Sequence, residues 1–573
     1  MLLCCCFKRL YIRLFQVLRE IGQCPPRVIV WSAWWMLVAE LLILLIVNPV
    51  FFRDSSEYYA LTEAFRLGAW DRAFPPHLPV LYTVFSGILA KIGIPAVSSL
   101  LLVSGFFTAL TVFPLYGWLR AILSPRKAAW GVFLYALFPE IIRCGCAPLL
   151  DSGRFFFLSA ALWLIFCNWE SKYVSYKIFL LGVVYAGLIL VRAEGICFVA
   201  ITTVIHILIL LHRLKGKLCF IQFCRIAGCV LLPLLLAALL CTPRAIQMQK
   251  MCGFPGIDSR QVKGIRSFIS LVAPEVKKQT AAPSNPAPGS GRSQITVSRS
   301  DNAKMAASRI MILLDQPRYY RNLLGGLNPW YLPFTLLGLF VLFRRRQINF
   351  NHGMVVLLFF AYCGFHFIIR AGAGRYLLMA GVLLIPFTVE GGAAAGEWLR
   401  KRDSRLLHAA LLLLAVFAGV QFIRSLGELR DGKNQEYRTI RSLFQEGGPL
   451  NKAERSGLSR PVILLIGPDR GLGFYAGVNV ILYTDYPFAL PSRMTLEEIL
   501  EQGVSSTDFF HWQTKETPKK AHIDVVVTYK NQWHPVREAA GRFEEYNFPE
   551  QNKLRVWKVI QEHLVEESEN VEK

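Results

Sequence analysis

The chain has 573 residues, of which 54% are hydrophobic and 18% charged, and its mean hydropathy is +0.40. Soluble globular proteins carry about 25% charged residues, so this composition excludes an ordinary soluble protein and predicts a chain that lipid solvates. The net charge of +24 would suggest nucleic acid as a partner, but the basic residues lie in short runs between apolar segments, as membrane topology requires, and nucleic acid is not expected.

The apolar segments predict a multi-pass α-helical membrane protein with about eleven transmembrane helices. Short basic loops stay on the cytoplasmic side of a membrane, and with this count all of them fall on the same side as the basic N-terminal segment, residues 1–27. The N-terminus is therefore expected to be cytoplasmic and the C-terminus periplasmic. The predicted spans are residues 28–52, 95–119, 129–143, 152–168, 178–191, 195–212, 219–242, 329–343, 353–370, 376–396 and 406–425.

The apolar stretch from His77 to Gly93 is the exception to this count. If it crossed the membrane, the loop that contains Arg126 and Lys127 would move to the outside. The sequence therefore predicts a juxtamembrane or re-entrant helix here.

Two outer loops and a C-terminal domain make up the predicted extracytoplasmic part. The loops are residues 53–94 and 242–330, and the middle of the second, 274–300, is rich in Pro, Ser, Gly and Ala, which predicts a flexible segment without a core. Residues 426–573 predict a small α/β domain. Its predicted strands are Val462–Ile466, Val480–Tyr483, Val525–Tyr529 and Leu554–Ile560, and its predicted helices are Leu496–Glu501 and Val536–Tyr546.

Ionisable residues at the predicted outer boundary are candidates for function, because placing them there costs about 2.5–3.5 kcal/mol on insertion scales. Each also has a purely structural interpretation: a helix cap, a boundary carboxylate, a local ion pair or a snorkelling side chain. Together, three carboxylate sites and two arginine sites on one face suggest a site that activates a hydroxyl and holds a phosphate. They are Asp54 with Glu57, Asp151, Arg192 with Glu194, and Arg370 to Arg375.

The order of these elements resembles the GT-C glycosyltransferases that use polyprenyl-phosphate-linked sugars, which include protein O-mannosyltransferases and lipid A aminoarabinose transferases. The resemblance covers most of residues 28–425. Two positions depart from the pattern: Phe74 stands where a basic residue often precedes the Pro-Pro pair, and Ser55 stands where a second acidic residue often follows the first. The matching residues are Asp54, Tyr58, Ala60, Ala64 and Gly68, then Pro75-Pro76, Asp151, Gly187-Leu188, Arg192-Ala193-Glu194 and Arg375-Tyr376.

The resemblance implies an inverting transfer of a sugar to an acceptor hydroxyl at the outer face of a bacterial inner (plasma) membrane. Asp54 would be the general base, and Glu57 and Asp151 would orient the acceptor or help to bind a divalent metal ion. The donor would be a polyprenyl-phosphate sugar and the acceptor a lipid, a glycan or a protein. The expected substrate-binding residues are Tyr58, His77, Arg192, Glu194, Arg375 and Tyr376.

Three alternatives stay open from the sequence. A transporter or lipid flippase would carry charged residues near mid-span in paired, broken helices. An O-antigen-ligase-like transferase would use a pyrophosphate donor and an Arg-rich outer loop, and the basic residues between Arg244 and Arg321 fit that description. A non-catalytic membrane scaffold would be indifferent to a change of Asp54.

Overall fold

The computed structural model describes nine segments of the chain: residues 25–47, 53–75, 78–167, 169, 173–214, 220–253, 256–257, 317–368 and 374–402. It also describes a few residues between 416 and 450, and eight strands between 462 and 559. The predicted flexible segment 274–300 and nearly all of the eleventh predicted span lie outside the described residues.

Sixteen helices lie in the described part of the chain, and they form a helical membrane domain. The first eight are α1 (Pro26–Val47), α2 (Arg53–Arg66), α3 (Trp70–Ala73), α4 (Leu81–Lys91), α5 (Ala96–Leu110), α6 (Val112–Arg120), α7 (Pro125–Ala136) and α8 (Pro139–Gly145). The second eight are α9 (Asp151–Phe166), α10 (Val174–Val191), α11 (Gly195–Arg213), α12 (Phe220–Cys252), α13 (Pro317–Leu327), α14 (Leu332–Arg344), α15 (Phe350–Ile368) and α16 (Gly374–Arg402).

The predicted multi-pass architecture is confirmed. Within the described residues seven helices, counting α5 and α6 as one, are long and apolar enough to cross a membrane, and the number rises to nine if each of two bent helix pairs is one span. Each of these nine coincides with a predicted span. The fourth predicted span corresponds to α9, which has 16 residues and is buried along almost its whole length.

Two predicted spans are sharply bent. The span at 129–143 consists of α7 and α8, which meet at an angle of 64°, and the span at 329–343 continues back through α13, which meets α14 at 74°. The first bend falls at Phe138-Pro139, where proline at the first position of α8 has no amide hydrogen to continue the preceding helix.

The predicted second outer loop, residues 242–330, contains helical residues at both ends. Helix α12 does not end at residue 242 but continues to Cys252, with Pro243 inside it, and α13 begins at Pro317 rather than after residue 330.

Helix α4 has only 11 residues, about 16 Å of helix, which is too short to cross the hydrocarbon core alone.

Helices α14 and α16 pack closely because glycines face each other where they cross. A Cβ atom on Gly391 would overlap the carbonyl oxygen of Phe334, and one on Gly338 would overlap that of Phe387. Small residues let helix backbones approach where lipid gives no hydrophobic driving force. Since α16 also carries Arg375 and Tyr376 at its start, this contact helps to place them.

The C-terminal end of α9 is capped by Arg213 of α11. Its guanidinium donates to the carbonyl oxygens of Phe166, at 2.9 Å, and Cys167, at 2.7 Å. A cation at this end of a helix interacts favourably with the helix dipole. The buried helix α9 therefore has satisfied carbonyls at one end and the Asp151 carboxylate at the other.

The C-terminal region contains a six-stranded mixed sheet in the order β4-β2-β1-β6-β8-β7 and a two-stranded ladder of β3 and β5. β1 is parallel to both of its neighbours, β2 and β6, and the other pairs are antiparallel. The strands are β1 (Val462–Ile466), β2 (Val480–Thr484), β3 (Val504–Ser505), β4 (Phe510–His511), β5 (Lys520–Ala521), β6 (Val525–Tyr529), β7 (Phe543–Tyr546) and β8 (Leu554–Val559).

The four predicted strands are confirmed within one residue at each end. The helix predicted over Val536–Tyr546 was wrong at its end, because residues 543–546 form β7 and pair antiparallel with β8. The predicted helix Leu496–Glu501 lies outside the described residues.

Candidate functional site

A cavity of about 150 Å³ lies where α2, α9, the α10–α11 turn and the start of α16 meet. Leu78, Pro79, Leu149 and Leu150 form part of its lining. The residues singled out in the sequence that line this one cavity are Tyr58, Asp151, Arg192, Glu194, Arg375 and Tyr376.

Asp151 is the centre of the charge arrangement in the cavity wall. Its Oδ1 is 2.8 Å from Nη2 of Arg154 and 2.9 Å from Nη1 of Arg192, and its Oδ2 is 3.8 Å from Nε of Arg375. The side chains of Asp151 and Arg154 are 1% and 0% exposed. One carboxylate therefore gathers three guanidiniums from three separate helical elements.

The tight turn between α10 and α11 places Arg192 and Glu194. Arg192 leaves the helix in an extended conformation, and Gly195 restarts it where a Cβ atom would overlap the backbone of Leu188. Within the turn, Nε of Arg192 donates to Oε2 of Glu194 at 3.1 Å. The same guanidinium thus joins Glu194 to Asp151.

The two carboxylates keep Arg192 charged. Burial alone would lower the pKa of Arg192, but Glu194 and Asp151 raise it well above its ordinary value. Burial likewise works against ionisation of Glu194, yet Arg192 lowers the pKa of Glu194 far below its ordinary value of 4.5. The cluster contains three guanidiniums, from Arg154, Arg192 and Arg375, and two carboxylates, from Asp151 and Glu194. The formal charge of these five described residues is therefore +1.

The start of α16 is fixed from behind the cavity. Arg154 Nη2 donates to the carbonyl oxygen of Arg375 at 3.0 Å, and the hydroxyl of Tyr362 donates to the carbonyl oxygen of Tyr376 at 2.6 Å. The Tyr376 ring lies 4.7 Å from the guanidinium of Arg192 and stacks on the ring of His366 at 6.2 Å. A cation over an aromatic face is attracted by the ring quadrupole, so Tyr376 and Arg192 hold each other in place.

Helix α2 covers the cavity from the first outer loop. Tyr58 is buried and packs edge-on against Tyr82 at 5.5 Å, and Ser55 donates to the carbonyl oxygen of Pro148 at 3.3 Å. Pro148 is three residues before Asp151. Asp54, in the first turn of α2, therefore lies next to the anchored Ser55 and one turn before Tyr58.

Six of the nine sequence-derived site residues are thus brought together, and their chemical roles remain predictions. The side chains of Asp54 and Glu57 and the whole of His77 lie outside the described residues. Sequence reasoning missed Arg154, although an arginine three residues after Asp151 in an apolar run was a detectable signal. It also missed the structural role of Arg244, which is buried near the C-terminal end of α12.

The described residues do not fit a metal site. No group of three or more His, Cys, Asp or Glu side chains among them is arranged to hold a metal ion. Asp151, the predicted metal ligand that the structure describes, already accepts a hydrogen bond from Arg192 and forms an ion pair with Arg154, both through Oδ1. A cation there would meet three positive charges, so no catalytic step is assigned to a metal.

Neither a family model nor a curated protein matches this chain by sequence, but solved structures match its fold. ArnT from Cupriavidus metallidurans bound to undecaprenyl phosphate is 13% identical, with 92% of this chain and 97% of that chain covered and a TM-score of 0.57. The apo state of the same ArnT is 11% identical, with 91% and 96% covered and a TM-score of 0.52.

The archaeal oligosaccharyltransferase AglB from Archaeoglobus fulgidus, in complex with an inhibitory peptide and a dolichol-phosphate, is similar over 94% of this chain and 74% of that chain. Its identity is 12% and its TM-score 0.50. Likenesses at this level of identity concern the fold, and the membrane domain has a GT-C-like fold.

Proposed function

We propose that this protein is a glycosyltransferase that moves a sugar from a polyprenyl-phosphate donor to an acceptor hydroxyl at the extracytoplasmic face of a plasma membrane, with inversion at the anomeric carbon. The observation that carries the proposal is the convergence of Tyr58, Asp151, Arg192, Arg375 and Tyr376 on one cavity. Undecaprenyl phosphate is bound in one of the ArnT structures described above, and a dolichol-phosphate is bound in the AglB structure.

The charge around the cavity suits a phosphate. Arg192 and Arg375 line the cavity with Asp151 and Glu194, and the buried Arg154 behind Asp151 gives the cluster a third guanidinium. Asp151 stands at the N-terminal end of α9, where the helix dipole adds positive potential. Arg375 is 19% exposed and is the guanidinium of the cluster most open to a ligand. The N–H donors of the Arg375 guanidinium would stabilise the negative charge that grows on the phosphate as the glycosidic bond breaks.

Asp54 is assigned the role of general base. The acceptor oxygen attacks the anomeric carbon from the face opposite the phosphate, its proton passes to the Asp54 carboxylate, and the carbon–oxygen bond to the phosphate breaks. The products are the glycosylated acceptor and a polyprenyl phosphate. Base assistance of this kind contributes about 10²–10⁴-fold in rate.

The geometry shifts the role proposed for Asp151. Because its Oδ1 is committed to Arg154 and Arg192, it is better suited to holding the guanidiniums than to orienting the acceptor. Glu57 and His77 stay assigned to the acceptor and to the phosphate. Tyr58 and Tyr376 stay assigned to substrate binding, and both line the cavity.

A transferase fits the placement of the charges better than a transporter does. In the described residues the buried ion cluster lies at helix ends, namely the start of α9, the α10–α11 turn and the start of α16. A transporter is expected to carry such groups near the middle of paired broken helices. A site at helix ends near one membrane surface would meet a donor whose isoprenoid tail stays in lipid.

The test is transfer of label by the purified protein in lipid nanodiscs from undecaprenyl-phosphate donors that carry a radiolabelled hexose or pentose. The expected result is transfer by the wild-type protein and a loss of about 10²–10⁴-fold in Asp54→Asn. Glu63→Gln is the matched control, since Glu63 lies on the same helix in an ion pair of 2.7 Å with Arg66. Absence of transfer by the wild-type protein, or a normal rate in Asp54→Asn, would overturn the assignment.

A further inference from the structure

Arg244, near the C-terminal end of α12, uses all five of its N–H donors. Nε donates to the carbonyl oxygen of Ile257 at 3.1 Å, and Nη1 donates to that of Phe74 at 3.0 Å and to Oε1 of Gln247 at 2.7 Å. Nη2 donates to the carbonyl oxygens of Pro75, at 2.6 Å, and Leu78, at 3.2 Å. A guanidinium has five donors in a fixed fork, so none is left over here.

The acceptors belong to segments far apart in the chain. Phe74 and Pro75 precede Arg244 by about 170 residues, whereas Ile257 follows it by 13. Arg244 itself is 4% exposed. Buried hydrogen bonds from a charged donor are worth more than neutral ones, so this one side chain fixes the relative position of three segments.

The acceptors that follow α3 connect Arg244 to the candidate site at two points. Leu78 and Pro79 line the cavity, and Leu78 is held by Nη2. The ring of Phe74 stacks on that of Trp70 at 6.2 Å and packs edge-on against Phe65 of α2 at 5.9 Å. Arg244 therefore restrains both the cavity wall at 78–79 and, through Phe74, the helix that carries Asp54 and Tyr58.

We infer that Arg244 is a positioning residue for the transfer reaction. It holds Phe74, Pro75, Leu78 and, through Phe74, helix α2 in the geometry that the donor requires, without touching the donor itself. This inference rests on the proposed function for its kinetic part and on the hydrogen bonds alone for its structural part. Lysine cannot replace arginine in this role, because an ammonium is a point donor and cannot reach acceptors on both arms of the fork.

Helix α12 offers a matched control in Arg225. Its Nη2 donates to the carbonyl oxygen of Trp169 at 3.2 Å, and it lies 19 residues before Arg244 on the same helix, which is about 28 Å of helix. Arg244→Lys and Arg225→Lys therefore make the same chemical change at opposite ends of one element.

The first measurement is hydrogen exchange followed by mass spectrometry on the full chain in nanodiscs without substrate. Arg244→Lys is expected to speed exchange in peptides that cover residues 70–84 and to leave peptides that cover residues 155–167 unchanged. Arg225→Lys is expected to leave residues 70–84 unchanged. Unaltered exchange at 70–84 in Arg244→Lys would overturn the structural part of the inference.

The second measurement is the transfer rate of the folded protein, well below the thermal midpoint of each variant. A small misplacement by a remote change can cost about 10²-fold, and a loss of that size is expected in kcat/KM for Arg244→Lys but not for Arg225→Lys. Equal kinetics in the two variants, with a working wild-type enzyme, would refute the positioning role. A wild-type protein that transfers nothing would instead refute the proposed function and leave the exchange result to decide the structural part.

Discussion

Arg154 and Asp151, one helical turn apart at the N-terminal end of α9, form an ion pair of 2.8 Å in which neither side chain is more than 1% exposed. The same Nη2 of Arg154 also donates to the carbonyl oxygen of Arg375 at 3.0 Å. The pair thus ties the carboxylate at the centre of the cavity to the first turn of α16. Removing one partner would leave an uncompensated charge in a buried place.

A double-mutant cycle on this pair tests its contribution to stability. Asp151→Asn is expected to lower the free energy of unfolding by about 3–5 kcal/mol, because the buried Arg154 and Arg192 lose the carboxylate between them. Arg154→Met should cost less, because Arg192 still pairs with Asp151 at 2.9 Å. The double variant should lose less than the sum, with a coupling energy of about 0.5–3 kcal/mol. The free energy is measured by SDS titration in mixed micelles. The exposed pair Arg345 and Glu397, each 50% exposed, serves as control with an expected coupling of about 0–1 kcal/mol, and an equal coupling for both pairs would contradict the prediction.

Replacement of Tyr376 tests the aromatic wall of the cavity. Tyr376→Phe keeps the ring that faces Arg192 at 4.7 Å and should bind polyprenyl phosphate nearly as the wild type does. Tyr376→Leu removes the cation–π contact that positions Arg192. Such a contact is worth about 0.5–2 kcal/mol, so the Kd should rise, by at most about 30-fold. Tyr116→Leu is the control, since Arg120 lies 5.7 Å from that ring away from the cavity. The idea fails if the Phe and Leu variants at position 376 bind equally well.

The ion pair of Glu194 predicts a specific pH dependence of stability. Because the folded protein lowers the pKa of Glu194 below its ordinary value of 4.5, ionised Glu194 stabilises the fold at neutral pH. That contribution is lost as the pH falls below about 4.5 and through the folded-state pKa. Wild type should therefore unfold with a higher free energy than Glu194→Gln at neutral pH, and the difference should shrink in acid. A difference that stayed constant or grew in acid would show that Arg192 does not stabilise this carboxylate.

Adjacent glycines on α16 allow a test of the helix crossing. A Cβ atom on Gly391 would overlap the backbone of Phe334 on α14, whereas one on Gly392 would meet nothing within 4 Å. Gly391→Ala should therefore destabilise the protein by about 1–3 kcal/mol through overpacking, and Gly392→Ala should be neutral or stabilise it by up to about 1 kcal/mol. Equal thermal midpoints for the two variants would show that the helices do not meet closely at this crossing.

The helices and the gathering of the site residues could be anticipated from the sequence for a common reason. Lipid forces long apolar runs and makes boundary charges costly, so residues such as Asp151, Arg192 and Arg375 stood out from their surroundings. Arg154 was not predicted, because it lies inside an apolar run and not at a predicted membrane boundary. Only its spacing of three residues from Asp151 indicated an ion pair.

Features set by tertiary contacts were harder to anticipate. The continuation of α12 past residue 242 depends on good helix formers after Pro243, such as Ala245, Gln247 and Met248, which an apolarity criterion does not register. Residues 543–546 have a helical pattern but pair with β8, since strand formation depends more on neighbours than on intrinsic preference. The local sequence around Arg244 does not predict the carbonyl groups that surround it, because most of them come from residues about 170 positions earlier in the chain.

Helix α9 has 16 residues and is therefore about 24 Å long, while the hydrocarbon core of a bilayer is about 30 Å thick. At least one of its ends must lie below the level of the lipid headgroups. The end near Arg213 adjoins short basic loops, which are expected at the cytoplasmic surface, so the Asp151 end is expected to be the recessed one. A carrier lipid bound there would keep its isoprenoid tail in the leaflet, and the guanidiniums beside Asp151 would offset the cost of bringing its phosphate below the headgroups.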